Sequence, residues 1–136
     1  MAEQFTKPTD AFIGSAQRPL DVLGQQRADT LKKHLEGNID MIMQYWKLMQ
    51  VELGAETPGS VNDLAPDSPI KQVRTMVTEY QRERSSVRKY MAQLAEYIGN
   101  DAAEVHLSNL IQKYNVTYVT MGDLLGPGAE PKSGNG

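Results

Sequence analysis

The sequence predicts an all-α protein: a long antiparallel helical hairpin with a shorter C-terminal helix, elongated, with disordered ends. Three observations predict it. Residues at unbroken three- and four-residue steps over 70–98 are apolar at every position but Arg84. A second such series runs from 31 to 53. A turn-rich stretch separates the two. Residues three and four apart share a helix face, so each series marks one amphipathic helix.

Residues 1–19 read as a flexible segment. They are mostly polar, and Pro8, Gly14 and Pro19 punctuate them around Phe5, Phe12 and Ile13. The first helix is expected from Leu20 to Leu53. Its apolar series is Leu31, Leu35, Ile39, Ile42, Trp46, Met49 and Leu53. Asp29 is the expected N-cap of its regular part, because a short acceptor side chain there satisfies a free N–H. Gly24 and Gly37 lie within it, and each costs roughly 1 kcal/mol relative to Ala. Gly54 is the natural stop. Thr57-Pro58-Gly59-Ser60 and Ala65-Pro66-Asp67-Ser68-Pro69 then form a loop, which Val61 and Leu64 can fold back onto the helices.

The second helix is expected over 69–98, with Ser68 as its cap and Pro69 in its first position, where the missing N–H is not needed. Its seam is Ile70, Val73, Val77, Tyr80, Arg84, Val87, Met91, Leu94 and Ile98. At 1.5 Å per residue it is a rod of about 45 Å, longer than a compact sphere of this mass is wide. Met76, Tyr90 and Tyr97 widen the apolar face beyond what a two-stranded coiled coil uses. Such a face calls for more than one neighbour: the first helix supplies one, and the third helix or another copy of the protein supplies the rest. Met76, Tyr80, Arg84, Val87, Tyr90, Met91, Leu94 and Tyr97 are therefore the expected oligomer interface. Arg84 is a charge in a seam, which either sets register or reaches solvent.

Gly99-Asn100 ends this helix. A third is expected from Ala102 to Tyr114, with Asp101 and Glu104 as a capping box. Residues 115–125 are open between a strand, favoured by their Val, Thr and Tyr content, and a short fourth helix capped by Thr117. Residues 126–136 are expected to be a disordered tail, since they have almost nothing to bury.

Catalysis has little to work with. There are no cysteines, which removes thiol nucleophiles and cysteine metal sites. His34 and His106 fall on different helices, outside the i, i+3 or i, i+4 spacing of a helical metal centre. Ser86-Val87-Arg88-Lys89 matches Ser-x-x-Lys but lacks the companion motifs. Glu36 and Asp40 are one turn apart and read as a solvated acid pair. No catalytic residue, metal site, cofactor or small-molecule substrate is expected. No apolar run approaches the ~18 residues of a membrane span, and the N-terminus lacks a signal peptide's apolar core. The expectation is no membrane association and a location in the cytoplasm or in a virus particle.

Charge directs attention to the second helix. The chain carries 14 Lys and Arg against 17 Asp and Glu, a net charge of -3, which argues against binding nucleic acid by global charge. Between 71 and 89, however, Lys71, Arg74, Arg82, Arg84, Arg88 and Lys89 face only Glu79 and Glu83. Arg74, Arg88 and Lys89 trace one side, where they suit a phosphate backbone or an acidic partner. Their bland role is to pair with Glu36, Asp40 and Glu52 of the first helix.

Residues 110–125, LIQKYNVTYVTMGDLL, resemble a helix-turn-helix, with Asn115 at the left-handed turn position, Val116 as the buried turn residue, and Met121 and Leu124 facing inward. The resemblance implies DNA binding with Tyr118 and Thr120 near the bases. The segment carries Asp123 and no Lys or Arg after the turn, and Ile111 stands where a small residue is usual. A hairpin with mobile ends and such an element is similar in plan to small viral DNA-packaging subunits. The leading expectation is a non-catalytic, self-associating structural or adaptor protein of a larger assembly, with other proteins as partners. A DNA-binding oligomer is the second.

Overall fold

A computed structural model describes residues 20–126. The expectations for residues 1–19 and for the tail from 127 onward fall outside these residues. Helix α1 (Val22–Leu53) and helix α2 (Lys71–Ile98) form the long hairpin. Helix α3 (Asn100–Gln112) packs on both, and a short helix α4 (Met121–Leu125) packs on α2. No strand occurs among the described residues.

α1 begins a full two turns before Thr30. Asp21, not Asp29, caps it: the Gly24 N–H donates to Asp21 Oδ1 at 2.7 Å. Asp29 lies inside the helix and accepts from the Gln25 amide. The start lies within two residues of the expected Leu20, but the core pattern does not mark the cap, because Val22 and Leu23 face solvent and the buried series opens only at Ala28. The helix runs unbroken through Gly24 and Gly37. It stops at Gly54, which takes φ 55°, a conformation that only Gly adopts without penalty.

The connection from 54 to 70 carries two single 3₁₀ turns, Gly54–Glu56 and Val61–Asp63. Val61 and Leu64 are buried, as the loop pattern predicts. Ser68 accepts from the Ile70 N–H at 3.2 Å, but regular helix starts two residues after Pro69, at Lys71. Ile70 stays extended and supplies the first helical carbonyl, to the Arg74 N–H.

Gly99, at φ 90°, reverses the chain between α2 and α3 in one residue. α3 therefore starts at Asn100 and the Asp101–Glu104 capping box does not form. The Ala103 N–H bonds the Gly99 carbonyl instead.

Asn115 turns the chain at φ 52°, as its residue type suggests. Residues 115–120 then run without regular structure to α4. Thr120, not Thr117, caps that helix. Its hydroxyl accepts from the Asp123 N–H, and Asp123 Oδ2 accepts from the Thr120 N–H. Gly126, expected in the tail, is buried and closes α4 through its N–H to the Gly122 carbonyl.

The core lies between α1 and α2. Leu35, Ile39, Ile42, Trp46 and Met49 meet Val73, Val77, Tyr80, Val87 and Leu94. Leu107 and Ile111 cap it from α3, and Met121 and Leu124 from α4.

Candidate interaction surface

The expected interface on α2 divides in two. Tyr80, Val87, Met91 and Leu94 are buried within the single chain. They build the core and, in this folded form, have no surface left for a second copy. Met76, Arg84, Tyr90 and Tyr97 are half-buried. The wide face finds its extra neighbours inside the chain, in α3, α4 and the connecting segments. The Tyr90 ring stacks on His34 at 4.8 Å, and the Lys89 ammonium lies 5.5 Å over the same ring. Arg84 Nε has no hydrogen-bond partner. The Asn38 amide of α1 donates to Glu83 Oε1 of α2 at 2.7 Å, a polar contact across the hairpin.

A clasp of loop and C-terminal residues closes the other end. Tyr118 lies flat on Trp46, with centroids 4.3 Å apart and planes 7° apart. The Val61 N–H donates to the Tyr118 carbonyl at 2.9 Å. Ser60 and the Asn62 amide donate to Asp123, and the Tyr80 hydroxyl donates to Asn62 Oδ1. Sequence reasoning missed this clasp, because its contacts join residues as far apart as Trp46 and Tyr118 and share no local pattern.

The clasp engages the residues expected to contact nucleic acid. Arg88 Nε donates to the Leu124 carbonyl at 2.8 Å, at the C-terminus of α4, and Arg74 donates to the Ser68 carbonyl at 2.7 Å. Both remain solvent-exposed, as does Lys89. The Tyr118 ring covers Trp46, and Thr120 is a cap. α4 has five residues, about 7.5 Å of helix. That is too short to lie along a major groove as a recognition helix does. Glu36 and Asp40 do not pair with α2. Glu36 bonds Lys113 at 3.0 Å, and Asp40 accepts from the Tyr114 hydroxyl at 2.7 Å, both across the α1–α3 contact.

Burial shifts several of these groups. It pushes the Tyr80 phenol up to about 12, with Asp123 adding a smaller push in the same direction. Burial and the bond to Asp40 raise Tyr114 to about 12. Burial, helped by Lys32, lowers His106, whose Nε2 is buried without a partner. A phenol held neutral by the fold stabilises it fully below pH 10, its unfolded value. That stabilisation is lost as pH rises from 10 through 12. Tyr80→Phe is expected to reduce this alkaline loss in urea titrations. At pH 7 the same variant should lower stability by about 1 kcal/mol, the net worth of one hydrogen bond. An unchanged alkaline limb would show that Tyr80 does not titrate with unfolding.

No three His, Asp or Glu side chains gather as a metal site among the described residues. The start of α2 carries an open groove lined by Lys71, Gln72, Thr75 and Met76. Among the described residues, no helix is long and apolar enough to cross a membrane.

The uncovered apolar surface lies mainly on α1. Val22 is 73% exposed, Leu23 71%, Leu48 49% and Val51 78%, with Val105 of α3 at 59%. The four on α1 lie off the face that carries its core series. No family model matches this chain, and no curated protein or solved structure shows a significant match to it.

Proposed function

We propose that this chain is a non-catalytic helical module that self-associates and serves as a structural or adaptor component of a larger assembly. The observation that carries this reading is the second apolar surface of α1. One face of the helix builds the core, while Val22, Leu23, Leu48 and Val51 stand in solvent on the other. Single exposed apolar residues are ordinary, but pairs at both ends of one helix face suit a contact surface. A rigid 32-residue helix, locked by the hairpin, presents them without further ordering.

Light scattering on a sizing column tests this. A dimer or larger species is expected at micromolar concentration, with the same mass in the presence of duplex DNA at low salt. A monomer mass across the range removes the reading. The second reading, a DNA-binding oligomer, draws on the exposed cations Lys71, Arg74, Arg88 and Lys89 of α2. Its mark is a salt-sensitive shift in mass when DNA is added. Replacing Arg74, Arg88 and Lys89 by Gln does not separate the two readings. Arg74 and Arg88 also hold the Ser68 and Leu124 carbonyls, so the triple variant loosens the clasp as well.

A further inference from the structure

We infer that two copies pair antiparallel through the outward face of α1, crossing at Gly37. This rests on the self-association proposed above and specifies its surface, orientation and register.

On a helix turning about 100° per residue, Val22, Lys33, Gly37, Asp40, Leu48 and Val51 fall within about 80° of arc. The core residues Leu35, Ile39, Ile42 and Trp46 lie on the opposite side. The outward arc has a palindromic pattern. Its exposed apolar ends, Val22 and Val51, stand at nearly equal distances on either side of Gly37, with exposed Leu23 and Leu48 flanking them. In an antiparallel pair, residue i faces residue 73 − i of the other copy in one register. That register sets Val22 against Val51 of the partner subunit. It also sets Lys33 against Asp40 of the partner subunit. Each match occurs twice, as a twofold contact requires.

Asp40 already accepts from Tyr114 and Gln44, and a carboxylate has room for more donors. The crossing falls beside Gly37, where an added Cβ would meet nothing within 4 Å. The face is open there, and the missing side chain lets two helix axes approach closely. A parallel pair in register would place Lys33 against its own copy and Asp40 against its own copy, which like charges oppose. This self-complementarity is why a second copy of the chain is the occupant.

The chain has no cysteine, so introduced cysteines report contacts directly under mild oxidation. A disulfide needs Cα atoms within about 7 Å. Val22 and Val51 of one α1 are about 44 Å apart, so they cannot be bridged within a chain. The double variant Val22→Cys/Val51→Cys is expected to form a covalent dimer or longer species. Gly37→Cys alone should do the same, close to the twofold axis. Val51→Cys alone, and Gln93→Cys on the exposed side of α2, should remain uncrosslinked. Wild-type protein of dimer mass, with no crosslink in the double variant, would overturn this register while leaving self-association standing. A monomeric wild type would overturn both.

Discussion

Leu94→Asp is expected to abolish the cooperative fold. Leu94 has no exposed surface and sits in α2 among the core residues of the hairpin. Removing a buried leucine side chain costs about 2–5 kcal/mol. The carboxylate must then either stay ionised in an apolar site or take up a proton, and each adds several kcal/mol. The combined cost is of the order of the whole stability of a small domain, about 5–15 kcal/mol. Circular dichroism should show reduced helicity at 25 °C and no sharp melting transition. Leu94→Met, which nearly conserves volume, should stay within about 1.5 kcal/mol of wild type. A folded Leu94→Asp protein with an unchanged Tm would contradict the hairpin register described above.

Trp46→Ala is expected to destabilise by about 3–5 kcal/mol, through lost burial and the cavity left behind. For a domain of about 100 residues this lowers Tm by roughly 12–25 °C. The effect reaches beyond α1. Trp46 is the platform for Tyr118, and Tyr118 holds Val61 through its carbonyl. Losing the ring should release the loop and α4 together, visible as faster amide exchange at Val61 and Asp123. Trp46→Phe should cost much less. It keeps an aromatic surface and removes an indole N–H that is buried without a partner. A double-mutant cycle with Tyr118→Leu should give a coupling of about 0.5–1.5 kcal/mol for the stacked pair. Trp46 is the only tryptophan, so its emission should shift to the red when Tyr118 is removed. Zero coupling would show that the rings do not support each other in solution.

The elements of the hairpin were legible because helix periodicity is local. Val73, Val77, Tyr80, Val87 and Leu94 announce one face by spacing alone, and that face is buried. Helix ends were less legible. Several Ser, Thr and Asp residues could each cap a helix, and the choice between them depends on where the chain is free to turn. Asp21 prevails over Asp29 because nothing obliges α1 to wait for its first core residue. Thr120 prevails over Thr117 because the Trp46–Tyr118 stack and the Val61–Tyr118 bond hold residue 118 outside the helix. The capping box at Asp101 fails because Gly99 turns the chain early.

The surface was the least legible part. Sequence alone marks α2 as having more apolar face than one partner helix can cover, and it leaves the excess to the third helix or a second copy. The fold covers much of that face with the chain's own α3, α4 and loops, and leaves open instead the ends of α1's outer face. The cations of α2 likewise change meaning once Arg74 and Arg88 are seen to hold carbonyls of the loop and of α4.

By itself, then, the sequence determined the helical class, the two long helices, their shared core face and the inward turn of Val61 and Leu64, because each follows from the spacing of neighbours along the chain. Only the tertiary structure decided which polar residue caps which helix, which cations are engaged and which apolar residues remain outside. Those outcomes depend on contacts such as Trp46 with Tyr118 and Arg88 with Leu124, between residues dozens of positions apart, whose proximity no local pattern records.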